Sequence, residues 1–158
     1  MKTHLGWLTA LAVFVLDRLS KWWIVEVYDL PEKGSVAILP FFSLTMVWNQ
    51  GISLGLFQAD SDLGRWILIG VTGAISLALA VWLARVETRL LALAIGLVLG
   101  GAVGNIIDRL IYPGVADFFH FHAFGASFYV FNVADSAISI GVVLLLLDSL
   151  RSAPKQHT

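Results

Sequence analysis

Four stretches of this chain are apolar for long enough to cross a membrane, at about 5–28, 66–84, 90–108 and 131–148. A helix rises about 1.5 Å per residue, so roughly 20 residues traverse a hydrocarbon layer about 30 Å thick. The second and third stretches carry no charge from Trp66 to Ala84 or from Leu90 to Ile107. The first is interrupted by Asp17, Arg18 and Lys21 in "LDRLSKWW". It then continues through "WWIVEVY" with no small-residue cleavage site, which favours a retained span over a signal peptide. In the fourth, Asp135 is the sole charge from Phe131 to Leu147, in the first turn of "FNVADSAISIG". Ionised groups in lipid are expensive and persist where they are paired or at work.

The polar connections are one-sided. Lys2, Arg85, Arg89, Arg151 and Lys155 fall on one side, which the positive-inside rule makes cytoplasmic for both termini. Loops 29–62 and 109–130 then face outward, holding Asp29, Glu32, Asp60, Asp62 and Asp117 against Lys33 and Arg109. The outward segment 34–58, "SVAILPFFSLTMVWNQGISLGLFQ" with its flanks, is too apolar for a solvated loop, and Pro40, Gly51 and Gly55 break any long helix. Val36 to Val47 is rich in β-branched and aromatic residues and predicts short strands capping the helices. The expected fold is an all-α membrane protein, four transmembrane helices with a small extracytoplasmic β-rich cap, as one integral domain over residues 1–158.

Composition agrees: 58% of residues are hydrophobic, 13% are charged and the mean hydropathy is +0.84. The absence of cysteine removes disulfides, thiolate metal sites and cysteine nucleophiles. A net charge of -1 gives no sign of nucleic-acid binding. Gly96, Gly100 and Gly104, with Gly101, form a small-residue stripe suited to close helix packing. Trp7, Trp22, Trp23, Trp66 and Trp82 sit near span ends as interfacial anchors, with Trp48 beside Asn49, and the tail "RSAPKQHT" is polar and expected to fray.

Folding four spans brings Asn49, Asn105, Asp108, Arg109, Asp117, Asn132 and Asp135 to a common depth near the outer interface. Two close aspartates share one proton, so an ionised member takes a proton from water while the neutral one polarises a carbonyl. A peptide bond presented at the membrane is the substrate this suggests. Structural readings compete: Asp135 as a helix cap, Arg109 paired with Asp108, and Asp17 with Lys21 as an i,i+4 ion pair. Two further readings are a metal site at His120 and His122 beside Asp117, and a proton-linked carrier using Asp135. The His-x-His spacing is not that of a His-Glu-x-x-His motif.

Five stretches together, "DRLSK" at 17–21, "NQG" at 49–51, "GGAVGNIIDRL" at 100–110, "VADFFHF" at 115–121 and "FNVADSAISIG" at 131–141, resemble in order the motif set of lipoprotein signal peptidase, signal peptidase II. The resemblance implies a bacterial inner-membrane aspartyl endopeptidase that needs no cofactor or metal. It would cut prolipoproteins just before a diacylglyceryl-modified cysteine, near the outer (periplasmic) face. Asp117 and Asp135 match the family's catalytic pair, and Asn49, Gly51, Asn105, Arg109 and Asn132 match positions lining its substrate groove. Asp17 and Lys21 match its first motif, with Asp108 as a further structural group. Implied partners are the prolipoprotein, membrane lipids and globomycin-type inhibitors, with the chain acting as a monomer. Water would attack without a covalent intermediate, Asn105 and Asn132 orienting the pair or the substrate, and Arg109 fixing a substrate carbonyl or the loop. Ile52, Ser53, Leu54 and Gly55 depart from the alanines and phenylalanine that often follow the Asn-x-Gly motif.

Overall fold

A computed structural model describes residues 2–51 and 62–152. In chain order the elements are α1 (Lys2–Trp22), α2 (Leu30–Lys33), β1 (Ser35–Leu39), β2 (Phe42–Asn49), α3 (Asp62–Leu83), α4 (Arg89–Ile111), β3 (Val115–Ala123), β4 (Ala126–Ser127) and α5 (Val133–Ser152). The described helices number five, because α2 is a single turn that the hydrophobic pattern did not predict. Among the described residues α3, α4 and α5 are long and apolar enough to cross a membrane. Many of their apolar side chains, such as Leu77 and Leu146, are exposed, as lipid-facing side chains should be. Helix α1 has comparable length, 21 residues, but carries Asp17, Arg18 and Lys21 near its far end.

Helix α4 is the centre of the bundle, and its glycines let two neighbours approach. A methyl added at Gly96 would strike the Gly6 carbonyl and Thr9 of α1, and one at Gly100 the Ala10 carbonyl and Val13. On the opposite side, Gly101 lies under the Ala134 carbonyl of α5, while Gly141 of α5 lies against the Ala94 carbonyl. Between helices in lipid no hydrophobic gain is available, so backbone contact of this kind supplies the packing energy. The apolar core of the bundle is correspondingly thin, built from Ala10, Leu83, Val86, Ala92, Ile95 and Leu99.

Past Trp22 the helix widens into a π-helical turn, Trp23–Val27, closed by the Tyr28 N–H on the Trp23 carbonyl at 2.7 Å. Asp29, at φ 56°, then reverses the chain into α2, which leaves through Gly34 at φ 68°. Strands β1 and β2 fall within the segment expected to be strand-like, joined by a tight turn at Pro40 and Phe41. They are half of a four-stranded antiparallel sheet of order β1-β2-β3-β4. The partner strands come from the connection between α4 and α5, and the β2–β3 register sets Asn49 opposite Val115 and Val47 opposite Asp117. Ile24, Leu30, Leu44 and Phe118 form a separate small core beneath the sheet. The rest of segment 34–58, including Ile52, Ser53, Leu54 and Gly55, lies outside the described residues, as do Asp60 and the tail from 153.

Candidate active site

Two aspartates reach one spot from different bodies of the fold. Asp117 stands on β3 and is 1% exposed, while Asp135 is in the first turn of α5 and half-buried. Asn132 joins them. As N-cap of α5 its Oδ1 accepts the Asp135 N–H at 2.9 Å, and the Asp135 carboxylate accepts the Asn132 N–H at 3.3 Å. This reciprocal cap satisfies two donors that a helix start otherwise leaves open, so the cap and the carboxylate pair are compatible readings of one residue. The free amide of Asn132 then donates to Asp117 Oδ1 at 2.6 Å.

Every oxygen of the pair accepts from an N–H. Asn49 donates to Asp117 Oδ2 at 2.9 Å and Asn105 to Asp135 Oδ1 at 3.0 Å. The direction of each amide is fixed by a group that can only donate to its oxygen. That group is the Gly51 N–H for Asn49 (3.1 Å), the Lys21 ammonium for Asn105 (2.9 Å) and the Asp135 N–H for Asn132. A cleft of about 180 Å³ opens beside them, lined by Asn49, Gly51, Thr72, Asn105, Arg109 and Asp135. Asp117 sits behind Asn49 and Asn132, and its burial, followed by the nearby Asp135 charge, raises its carboxyl from the ordinary 3.8 to about 7.

Below the pair is a second charged layer. Lys21, wholly buried, meets Asp17 Oδ2 and Asp108 Oδ2 at 2.8 Å each. Arg18 pairs with the other oxygen of Asp108, so Asp108 does not pair with Arg109 as that expectation had it. Arg109 instead donates to the carbonyls of Gly51 (2.9 Å) and Asn105 (3.3 Å), and its buried Nε has no acceptor among the described residues. The same carboxylates tie elements together: Asp17 Oδ1 accepts the Ala134 N–H at 3.0 Å, and Asp108 Oδ2, besides meeting Lys21, accepts the Ala116 N–H at 3.1 Å. Among the described residues four carboxylates thus face three cations, Arg18, Lys21 and Arg109, and one retained proton makes the cluster neutral.

The sequence singled out neither Arg18 as the partner of Asp108 nor Arg65, which caps the Arg109 and Leu110 carbonyls at the end of α4. Thr72 on the cleft wall was equally silent, since a threonine in an apolar helix has no distinguishing spacing. His120 and His122 do share a face of β3, with ring centroids 5.3 Å apart. Three of their four nitrogens are engaged with hydroxyls of Ser43 (2.8 Å), Thr45 (3.2 Å) and Ser127 (2.6 Å). No group of three or more His, Asp or Glu suited to a metal occurs among the described residues.

An apolar helical bundle ending in a buried carboxylate pair is the layout of an aspartic peptidase set in a membrane. The family model described as signal peptidase (SPase) II matches residues 9–151. The lipoprotein signal peptidase of Methylobacterium sp. (strain 4-46) is 49% identical over 148 residues, 94% of this chain and 90% of that protein. That of Methylorubrum extorquens (strain PA1) is 50% identical over 150 residues, 95% and 88% of the two chains. A solved bacterial membrane enzyme, determined by the in meso method at 2.3 Å resolution, superposes with a TM-score of 0.80 at 29% identity, covering 97% of this chain and 93% of its own. The chain belongs to the signal peptidase II family.

Proposed function

We propose that this enzyme removes signal peptides from prolipoproteins by activating a water between Asp117 and Asp135, with no covalent intermediate. The observation that carries the reading is the convergence of the two carboxylates on Asn132 at the edge of a cleft. Asp135, which lines that cleft at the start of α5, is the ionised member, as an anion is favoured in the first helical turn. Asp117, deeper and held near neutrality, is the acid. Water gives a proton to Asp135 as its oxygen bonds the scissile carbonyl carbon, and Asp117 protonates the carbonyl oxygen. Collapse of the tetrahedral intermediate breaks the C–N bond, with the proton on Asp135 passing to the leaving amine. The proton of the intermediate's second hydroxyl returns to Asp117 and restores the pair.

Asn49, Gly51, Asn105 and Arg109 line the substrate side, the unpartnered Nε of Arg109 serving as a donor to a substrate carbonyl. We read α1, α3, α4 and α5 as spans of a single domain with both termini cytoplasmic. The sheet and the pair then lie at the periplasmic face of the bacterial inner membrane. The cut falls before a diacylglyceryl cysteine, globomycin-type peptides compete for the cleft, bilayer lipids surround the exposed leucines, and the chain works as a monomer. The test is a gel-shift assay of a lipidated prolipoprotein with wild type, Asp117→Asn and Asp135→Asn. Both variants are expected to insert normally and to cleave nothing; full activity in either overturns the assignment.

A further inference from the structure

We infer that Lys21, which does not itself line the cleft, is a positioning residue that fixes the direction of the Asn105 amide and thereby keeps a hydrogen-bond donor on Asp135. This rests on Asp117 and Asp135 being the working pair. The argument is one of obligate donors. The Lys21 ammonium has three acceptors within reach: Asp17 Oδ2 and Asp108 Oδ2 at 2.8 Å and Asn105 Oδ1 at 2.9 Å. An ammonium has three protons and no lone pair, so the atom of Asn105 turned toward it is the oxygen. The amide nitrogen is therefore turned to Asp135 Oδ1, 3.0 Å away. That nitrogen only donates, so the oxygen it meets serves as an acceptor, as the base of the reaction requires.

Among the described residues the only other donor to Asn105 Oδ1 is the Asn132 amide, at a long 3.4 Å and already committed to Asp117 at 2.6 Å. The Asn105 amide turns about its Cβ–Cγ bond, and with Lys21 gone either end could face Asp135. A flipped amide would turn its oxygen to the carboxylate, which favours the protonated form and disables the base. The charged groups around this chain of contacts are Asp17 and Arg18 on α1, Asp108 and Arg109 on α4, Asp117 on β3 and Asp135 on α5. Asp17 and Asp108 lie against Lys21 as its ion-pair partners in a site with no exposure. Both are acceptors, as Asn105 Oδ1 is, so the amide direction is set by Lys21 and not by them.

The decisive variant removes one charge of each sign. Lys21→Met alone leaves the buried Asp17 without its cation, while Asp108 keeps Arg18, and breaking a buried pair this way is strongly destabilising. In Asp17→Asn/Lys21→Met the local charge is balanced, and the amide oxygen introduced at position 17 still accepts the Ala134 N–H. The comparison is with Asp17→Asn alone, with Lys21→Arg, and with Asp135→Asn as the control for the pair itself. Initial rates of prolipoprotein cleavage are measured against pH in detergent, together with thermal unfolding. The double variant is expected to keep KM, to lose about tenfold in kcat, and to show its acid limb moved up by about one pH unit with the alkaline limb in place. Lys21→Arg, which still donates, restores the wild-type limb. A double variant with the wild-type kcat and both limbs unmoved overturns the inference while an inactive Asp135→Asn leaves the pair standing; so does a lowered melting temperature with an unchanged profile. An active Asp135→Asn overturns the pair, and the inference with it.

Discussion

Gly100→Ala is the smallest change that tests how the bundle is held together. The new methyl carbon would stand 2.9 Å from Val13 Cβ and closer still to the Ala10 carbonyl. Carbon atoms rest about 3.5–4.0 Å apart, so α1 has to withdraw from α4 by about 0.6–1.1 Å. Overpacking of this kind costs about 1–3 kcal/mol, roughly 2–12 °C in melting temperature for a chain of this size. The effect on activity is larger. Helix α1 carries Lys21, whose 2.8 Å contact to Asp108 and 2.9 Å contact to Asn105 stretch past hydrogen-bonding range under such a withdrawal. Gly70→Ala and Gly73→Ala are the controls, because an added methyl there meets nothing within 4 Å. Thermal unfolding in detergent and the initial rate of prolipoprotein cleavage are read on all three. If Gly100→Ala melts and cleaves like Gly70→Ala, close backbone contact does not hold α1 against α4, and the packing argument fails.

Cleavage should decline as pH rises through about 7, where Asp117 loses the proton it needs as an acid, and a pH–rate profile checks this. The sign for stability is the same: a carboxyl raised from 3.8 to about 7 by folding binds its proton more tightly in the folded state, so that contribution is complete below 3.8 and lost as pH climbs through 7. Asn132→Leu removes the cap of α5 and one donor to Asp117, and should lower stability by about 1–3 kcal/mol in denaturant titration, with cleavage abolished. Arg109→Lys keeps the charge but not the fork that reaches two carbonyls; a severalfold rise in KM is expected, and an unchanged KM would remove Arg109 from the substrate side. Strong chelators should leave the rate unaltered, whereas inhibition reversed by added Zn²⁺ would revive the histidine site.

Much of the helical layout is legible because lipid permits few alternatives. An uncharged run such as Trp66 to Ala84 has to satisfy its own backbone, and a helix does so. The anomaly of Asp135 is legible for the same reason, since a carboxylate at the start of an apolar run needs a cause. The sheet is only half legible. Val115 to Phe118 is buried on both faces, so the period-two alternation that betrays a strand is missing where β3 meets β2. Pairing across distance is less visible still: Arg109 is next to Asp108 in sequence, yet it is Arg18 and Lys21, 90 and 87 positions earlier, that hold Asp108. Adjacent helical residues point in directions 100° apart, so neighbours in sequence are poor partners in space. Spacing can propose the Asp17–Lys21 pair, four apart on one helix, but not the three-way meeting with α4.

Asp117 rides on the sheet and Asp135 on the helices, so in the mechanism proposed above the distance between the two acids belongs to a seam and not to either body. Among the described residues the bonds across that seam include the Ala116 N–H on Asp108, the Phe118 and Phe119 N–H groups on the Phe131 carbonyl, the Phe131 N–H on the Phe119 carbonyl, and Asn132 itself. A bilayer or detergent that lets the sheet rock against the helix ends will therefore silence the enzyme while every helix is still intact. On the proposed mechanism, loss of activity on extraction from the membrane would report a parted joint before it reported an unfolded protein.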